Sequence, residues 1–351
     1  MKHTSLSTVM TGALVTCVFG ASSPVHADTF RQRAGAYADN QGTQRERLQL
    51  DGSVDAGGFA PAMTASSLAA TWTREFTRLG EDAITQYDSD VYGTERRTDD
   101  GVNLTFGQVW NRLSDSRVGV GWRSDGVVTS RTAGIGGGSW FFGETFQASI
   151  DLTRSLTDRP RYPILDYDFA VVDPPTRVDS TGVSLALRQL VSPTLVVLAG
   201  GSNFTTSDRP PLRTLSLGAR QYFPSLHGAL HPTVVRAINR GRVTTDTNYG
   251  EVDAWQVDLA WLQQISRQTR GKVSWRWYRE DETTRAYGDE LTFGSDLVSV
   301  GLARALPKGF RGGAPGKGID APLTVEVNAS RYRTNANILA QVIEAGVSTS
   351  F

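Results

Sequence analysis

The sequence predicts an all-β chain wound as a transmembrane antiparallel up-and-down β-barrel of about sixteen strands, with fourteen as the alternative count. Three observations predict it. Apolar residues recur at every second position in segment after segment, the period of a pleated strand with two unlike faces. Beyond the N-terminal segment, no apolar run approaches the roughly twenty residues that a membrane helix needs. The faces opposite the apolar ones are rich in Gly, Ser, Ala and Arg, which suits a confined lumen better than an open, solvent-facing sheet.

The N-terminal segment fits the same picture. Lys2 and His3 precede the apolar run from Val9 to Gly20, and Ser22-Ser23-Pro24-Val25-His26-Ala27 follows. A basic start, a short apolar stretch and a small-residue site predict a secretory signal peptide over residues 1–27, with the barrel over 28–351. A dozen apolar residues are too few to cross a roughly 30 Å hydrocarbon core as a helix. Cys17 follows Thr16, a poor fit for a lipoprotein signal. Cleavage at Ala27 removes Cys17, the one cysteine of the chain, and with it any disulfide or thiolate metal site.

Composition excludes several classes. Only 39% of residues are hydrophobic, as expected where lipid-facing and lumen-facing positions alternate. Lys and Arg number 36 against 36 Asp and Glu, so no net field points to nucleic acid.

The strands are expected at 30–38, 46–55, 65–77, 100–112, 117–126, 129–142, 145–155 and 178–191, then at 194–204, 211–223, 233–243, 251–265, 271–281, 290–304, 322–333 and 339–351. Their apolar faces are explicit. Val102, Leu104 and Phe106 alternate with Asn103, Thr105 and Gly107. Val118, Val120 and Trp122 alternate with Arg117, Gly119, Gly121 and Arg123. The same holds for Ile150 and Leu152, Val183 and Leu185, Leu215 and Leu217, Trp255 to Trp261, and Leu323 to Val327. All eight Trp fall inside these segments, several near strand ends where interfacial aromatic belts lie. Working back from the C-terminus, short turns at 113–116, 143–144, 192–193 and 266–270 fall on one side. The long loops 78–99 and 156–177 fall on the other. Two connections break the rule: 305–321 is long on the short-turn side, and 127–128 is short on the long-loop side.

The last segment carries a resemblance. Ile343, Ala345, Val347, Thr349 and Phe351 fall on one face, with Glu344, Gly346, Ser348 and Ser350 on the other. This is similar to the terminal strand of Gram-negative outer-membrane barrels, which implies an outer-membrane location. It also implies that Phe351 is the signal read by the barrel insertion machinery. The chain further resembles an uncharacterised family of bacterial outer-membrane barrels, at Tyr37-Ala-Asp-Asn-Gln-Gly-Thr43, Leu48-Gln-Leu50, Trp275-Arg-Trp-Tyr-Arg279, Phe293-Gly-Ser-Asp-Leu-Val298 and Gly346-Val-Ser-Thr-Ser-Phe351. Where that family has a serine- and glycine-rich run after the third strand, this chain has Gln86-Tyr-Asp-Ser-Asp-Val-Tyr-Gly93. The resemblance implies a fold and a location, and transfers no functional residues. The partners it implies are outer-membrane lipid, lipopolysaccharide and the insertion machinery, with a periplasmic protein as a further candidate.

Enzymatic motifs fail on inspection. Gly134-Ile-Gly-Gly-Gly-Ser139 lacks the third glycine of a dinucleotide fingerprint and leads into Trp140-Phe-Phe142 rather than a helix. Gly316-Lys317-Gly318 has Arg311 where a phosphate loop needs its first glycine, and no Ser or Thr follows Lys317. His227 and His231 flank one expected turn on the short-turn side, beside Pro224 and Pro232. That is no place for a metal-binding helix, nor for a triad on the outer wall. The expectation is therefore no enzyme, no cofactor and no metal. Asp88, Asp90 and Asp166 to Asp173 in the long loops offer oxygen ligands for calcium, although acidic loops are commonly just solvated.

What remains is charge on the lumenal face. The alternation turns Arg117, Arg123, Arg188, Arg220 and Arg276 inward, with Asp125, Asp151, Asp258, Glu280, Glu326 and Glu344. Charges at a constriction set selectivity in a pore; the same groups paired across strands would brace the barrel. The sequence thus supports a pore or passive transporter for ions or small solutes. Its alternative is a non-conducting barrel that scaffolds a periplasmic or surface complex.

Overall fold

The computed structural model describes residues 29–40, 42–55, 63–78, 96–110, 113–158, 164–165, 171–172, 177–207, 209–239, 251–283, 290–306, 323–335 and 338–350. The expected signal peptide, Phe351 and the acidic loop residues Asp88, Asp90, Asp166, Asp168 and Asp173 lie outside them, as does Gly316-Lys317-Gly318.

The strands are β1 (Thr29–Asp39), β2 (Gln44–Asp55), β3 (Met63–Arg78), β4 (Arg96–Trp110), β5 (Ser114–Ser124), β6 (Thr129–Phe141) and β7 (Phe146–Asp158). A two-stranded sheet, β8 (Ile164–Leu165) with β9 (Val171–Val172), stands apart from the rest. The wall resumes with β10 (Arg177–Ser192), β11 (Leu195–Thr206), β12 (Arg209–Phe223), β13 (Gly228–Asn239) and β14 (Glu251–Gln264). It finishes with β15 (Thr269–Thr283), β16 (Glu290–Leu306), β17 (Leu323–Thr334) and β18 (Leu339–Ser350). Apart from β8 and β9, these sixteen strands close into one antiparallel barrel, sealed where β1 pairs with β18 from Thr29↔Ser350 to Asp39↔Ala340. Closure leaves no edge, so every ladder group can find a partner where lipid offers none.

All sixteen expected strands are present, and the count is sixteen rather than fourteen. The even number puts both chain ends of the barrel on one side, called here the turn side. The two exceptions to loop length also persist. Leu306 and Leu323 bound a long connection on the turn side, and Ser124 to Thr129 is a short one on the loop side.

The register keeps one parity round the whole circumference. Thr29, Arg31 and Arg33 on β1 share a face with Ser53, Asp51 and Gln49 on β2, and the face continues strand by strand to Ser348 and Gly346 on β18. Lipid-facing positions are the apolar ones: Val120 is 54% exposed, Leu215 66% and Leu217 61%. The buried apolar residues among those described are small, namely Ala65, Val178, Ala237, Ala254 and Ala340. A soluble protein buries its large hydrophobes, whereas this chain turns them outward all the way round.

The outward face is banded. Near the turn side stand Trp110, Phe141, Phe146 and a Phe223–Trp261 contact with ring centroids 5.8 Å apart. Near the loop side stand Trp72, Phe76, Trp122 and Trp255, together with outward ion pairs. Arg74 binds Asp100 at 2.7 Å, Arg154 binds Asp179 at 2.6 Å, Arg177 binds Asp158 at 2.8 Å, and Arg236 binds Asp253 at 2.7 Å. Arg74 also lies 5.8 Å from the Trp72 ring and 5.7 Å from Phe76, and Arg236 lies 5.0 Å from Trp255. Charge on the lipid face costs about 0–1 kcal/mol near an interface but about 2–4 kcal/mol for Arg at the midplane. On β12, outward Arg213 and Phe223 are about ten residues apart. At about 3.3 Å per residue and a tilt of roughly 40°, that is a band roughly 25 Å tall, the height of a barrel's apolar zone. Closed sheet, apolar band and flanking aromatic and charged rims together make this a bacterial outer-membrane β-barrel.

Two local expectations are corrected. His231 belongs to β13, not to a turn, and faces the lumen: Thr233 pairs with Gly218 and Leu230 with Gln221, which sets His231 opposite Arg220. Pro232 suggested a turn because it cannot donate to a ladder. The barrel accommodates it by omitting the β12–β13 pairing at 219–220 and 231–232. His227 is the residue that sits in the turn, with φ +48°. Asp125 also lies past the end of β5, in the turn that follows, where its Oδ1 accepts the N–H groups of Val127 at 3.0 Å and Val128 at 2.7 Å.

Candidate functional site

Every lumenal candidate within a strand occupies an inward register position. Arg117 and Asp151 lie on β5 and β7, on either side of Gly136 of β6. The Arg117 guanidinium donates to Asp151 at 2.8 and 2.6 Å, a bidentate bond that fixes both groups. Glycine is required between them, because a Cβ at Gly136 would overlap Asp151 Oδ1 and stand 3.0 Å from the Ile150 carbonyl oxygen. Gly134, Gly136 and Gly138 all face the lumen. The glycine run is therefore a floor on which neighbouring polar side chains lie, not a phosphate loop.

Arg276 and Asp258 are direct neighbours across β14 and β15, with Nε donating to Oδ1 at 2.5 Å. Gln256 Nε2 donates to the other oxygen of Asp258, also at 2.5 Å. Glu326 accepts from Arg31, and Arg123 donates to Asp99. The sequence reading named one member of each of these last pairs and missed the partner. It also missed Arg33, which donates to Asp51 at 3.1 Å while Gln49 and Thr71 hold the same carboxylate at 2.8 and 2.9 Å. Glu280 accepts from Tyr278 at 2.5 Å, and Tyr37 donates to Asp39 at 2.9 Å.

Arg188 and Arg220 differ from the rest. Arg188 stands 5.3 Å from the ring of Trp140, which points into the lumen from the turn-side end of β6. Among the described residues, neither arginine meets a carboxylate. The proposed constriction is thus not one uniform ring. Arg117, Arg123 and Arg276 are clamped by acids, and Arg188 and Arg220 are not.

No family model matches the chain, and no curated protein does. Among solved structures, a bacterial polysaccharide outer membrane secretin is similar over 93% of this chain and 99% of its own, at 11% identity and a TM-score of 0.53. A loop L8 deletion mutant of OmpT, an outer membrane protein of Vibrio cholerae, aligns over 92% of this chain and 98% of its own, with 9% identity and a TM-score of 0.48. The outer membrane protein OpdK of Pseudomonas aeruginosa aligns over the same shares at 10% identity and a TM-score of 0.48. The likeness to the first of these is one of fold.

Proposed function

We propose that this outer-membrane barrel is a pore that passes ions or small solutes by diffusion along its charged lumen. One observation carries the reading. The inward face bears arginines and carboxylates on strands right round the wall, from Arg31 and Asp51 through Arg117 and Asp151 to Asp258, Arg276 and Glu326. Charged groups are stable there only if water reaches them or acids pair them. Sixteen strands leave a lumen wide enough for a water-filled channel. The paired charges bond to neighbouring strands of the wall, an arrangement that suits a path left open between them.

Selectivity then follows from which charges are neutralised. Asp258→Asn and Asp151→Asn should each free an arginine and move the reversal potential toward anions. In a tenfold salt gradient we expect about 10 mV of the roughly 59 mV available to a perfectly selective pore. Reversal potentials measured across a planar bilayer check this, and unchanged values would remove these pairs from the conduction path.

A further inference from the structure

Toward the turn side, the lumenal wall from β10 to β15 carries cations that no acid of the described residues pairs, Asp258 and Glu280 standing further up β14 and β15. Near the turn-side ends of their strands stand Arg188 on β10, Arg220 on β12, His231 on β13 and Lys272 on β15. All four occupy inward positions: Arg188 faces the same side as Gln147, Arg220 lies opposite His231, and Lys272 pairs with Leu262. Among the described residues, no carboxylate bonds to any of them. The register sets Arg188 opposite Leu198 and Arg220 opposite Val196 on the two sides of β11, with His231 beside Arg220 on the next strand. On the flanking walls at the same end the cations are neutralised, since Arg31 is held by Glu326 on one side and Arg117 by Asp151 on the other.

Three further features single out this wall. His231 Nε2 is buried without a hydrogen-bond partner. The ladder is open at residues 219–220 and 231–232, where Pro232 supplies no N–H. Between the two arginines, β11 presents Val196 and Leu198 to the lumen, and Trp140 lies under Arg188. Unpaired guanidinium groups beside apolar surface match a ligand with a negative head and an apolar body.

We propose that Arg188, Arg220, His231 and Lys272 form a binding site for a small organic carboxylate, with its apolar part on Trp140, Val196 and Leu198. The proposal deepens the pore reading by naming the solute class the lumen favours. It is tested apart from conduction, by calorimetric titration of the folded full chain in detergent micelles with benzoate, and with phosphate and benzylamine for comparison. Benzoate should bind, and benzylamine should not. Arg188→Ala and Arg220→Ala should each weaken benzoate binding about tenfold, the usual effect of losing a hydrogen bond to a charged group. Lys272→Glu should weaken it too, and outward-facing Arg304→Ala should leave it unchanged. Each variant is first shown to be folded by heat-modifiable migration in a gel. If Arg188→Ala fails that check, Lys272→Glu carries the test.

Absence of benzoate binding overturns the site. Equal binding by wild type and both arginine variants overturns it as well, and so does a preference for phosphate or benzylamine. A folded barrel that binds benzoate yet passes no current keeps the site and refutes the pore. One that conducts without binding benzoate does the reverse.

Discussion

Leu217→Arg should destabilise the folded barrel by about 2–4 kcal/mol, while the adjacent Ser216→Arg should cost less than about 1 kcal/mol. Leu217 faces outward near the middle of β12 and is 61% exposed, between the charged rim at Arg213 and the aromatic rim at Phe223. An arginine there meets hydrocarbon at the depth where it is most costly. Ser216 faces the lumen beside Gly200, so an arginine there reaches water and adds a cation to the channel. Its signature should be altered conductance, not lost stability. Urea unfolding in lipid vesicles measures both variants. Equal costs would mean that the two faces are not divided as the register describes.

Gly136→Val should lower stability by about 1–3 kcal/mol through overpacking, and should also release Arg117. The site leaves no space for a side chain: a Cβ would overlap Asp151 Oδ1 and stand 3.0 Å from the Ile150 carbonyl oxygen, so the carboxylate must move off the guanidinium. Gly136→Ala should show the same change more weakly. The same unfolding titration gives the energies, and reversal potentials report the freed arginine. A valine variant as stable as wild type, with unaltered selectivity, would show that the Asp151 carboxylate has another resting place.

The architecture was legible because a barrel wall imposes one rule on every strand. Lipid requires an apolar residue at each second position, and so Val118, Val120 and Trp122, or Leu215 and Leu217, announce both the strand and its outward face. The reading slips where a proline or an inward apolar residue breaks the rule, or where a strand ends without breaking it. Pro232 suggested that β13 begins late, and it hid His231 in a turn. Asp125 continued the alternation of β5 by number, yet its side chain closes the next turn. On β11 the lumenal face is itself apolar, with Val196 and Leu198 inward, so alternation alone could not orient it.

The pairing of charges was not legible. Arg31 and Glu326 are 295 positions apart, and only closure of β1 on β18 brings them together. Arg123, Arg188 and Arg276 look alike in the sequence, as inward arginines in alternating strands. The register gives Arg123 and Arg276 a carboxylate neighbour and denies one to Arg188. A signal for the outward ion pairs was present in outline, since Arg74, Arg154 and Arg236 interrupt apolar faces close to strand ends. Their aspartates sit on other strands, out of reach of local reading.

Single-channel current through the purified, folded chain in a planar bilayer tests the central claim most directly. The account predicts steady ohmic steps from barrels whose folding has been verified by heat-modifiable migration, with a reversal potential that shifts when Asp258 is replaced by asparagine. A folded barrel that inserts and stays silent across the voltage range would contradict it.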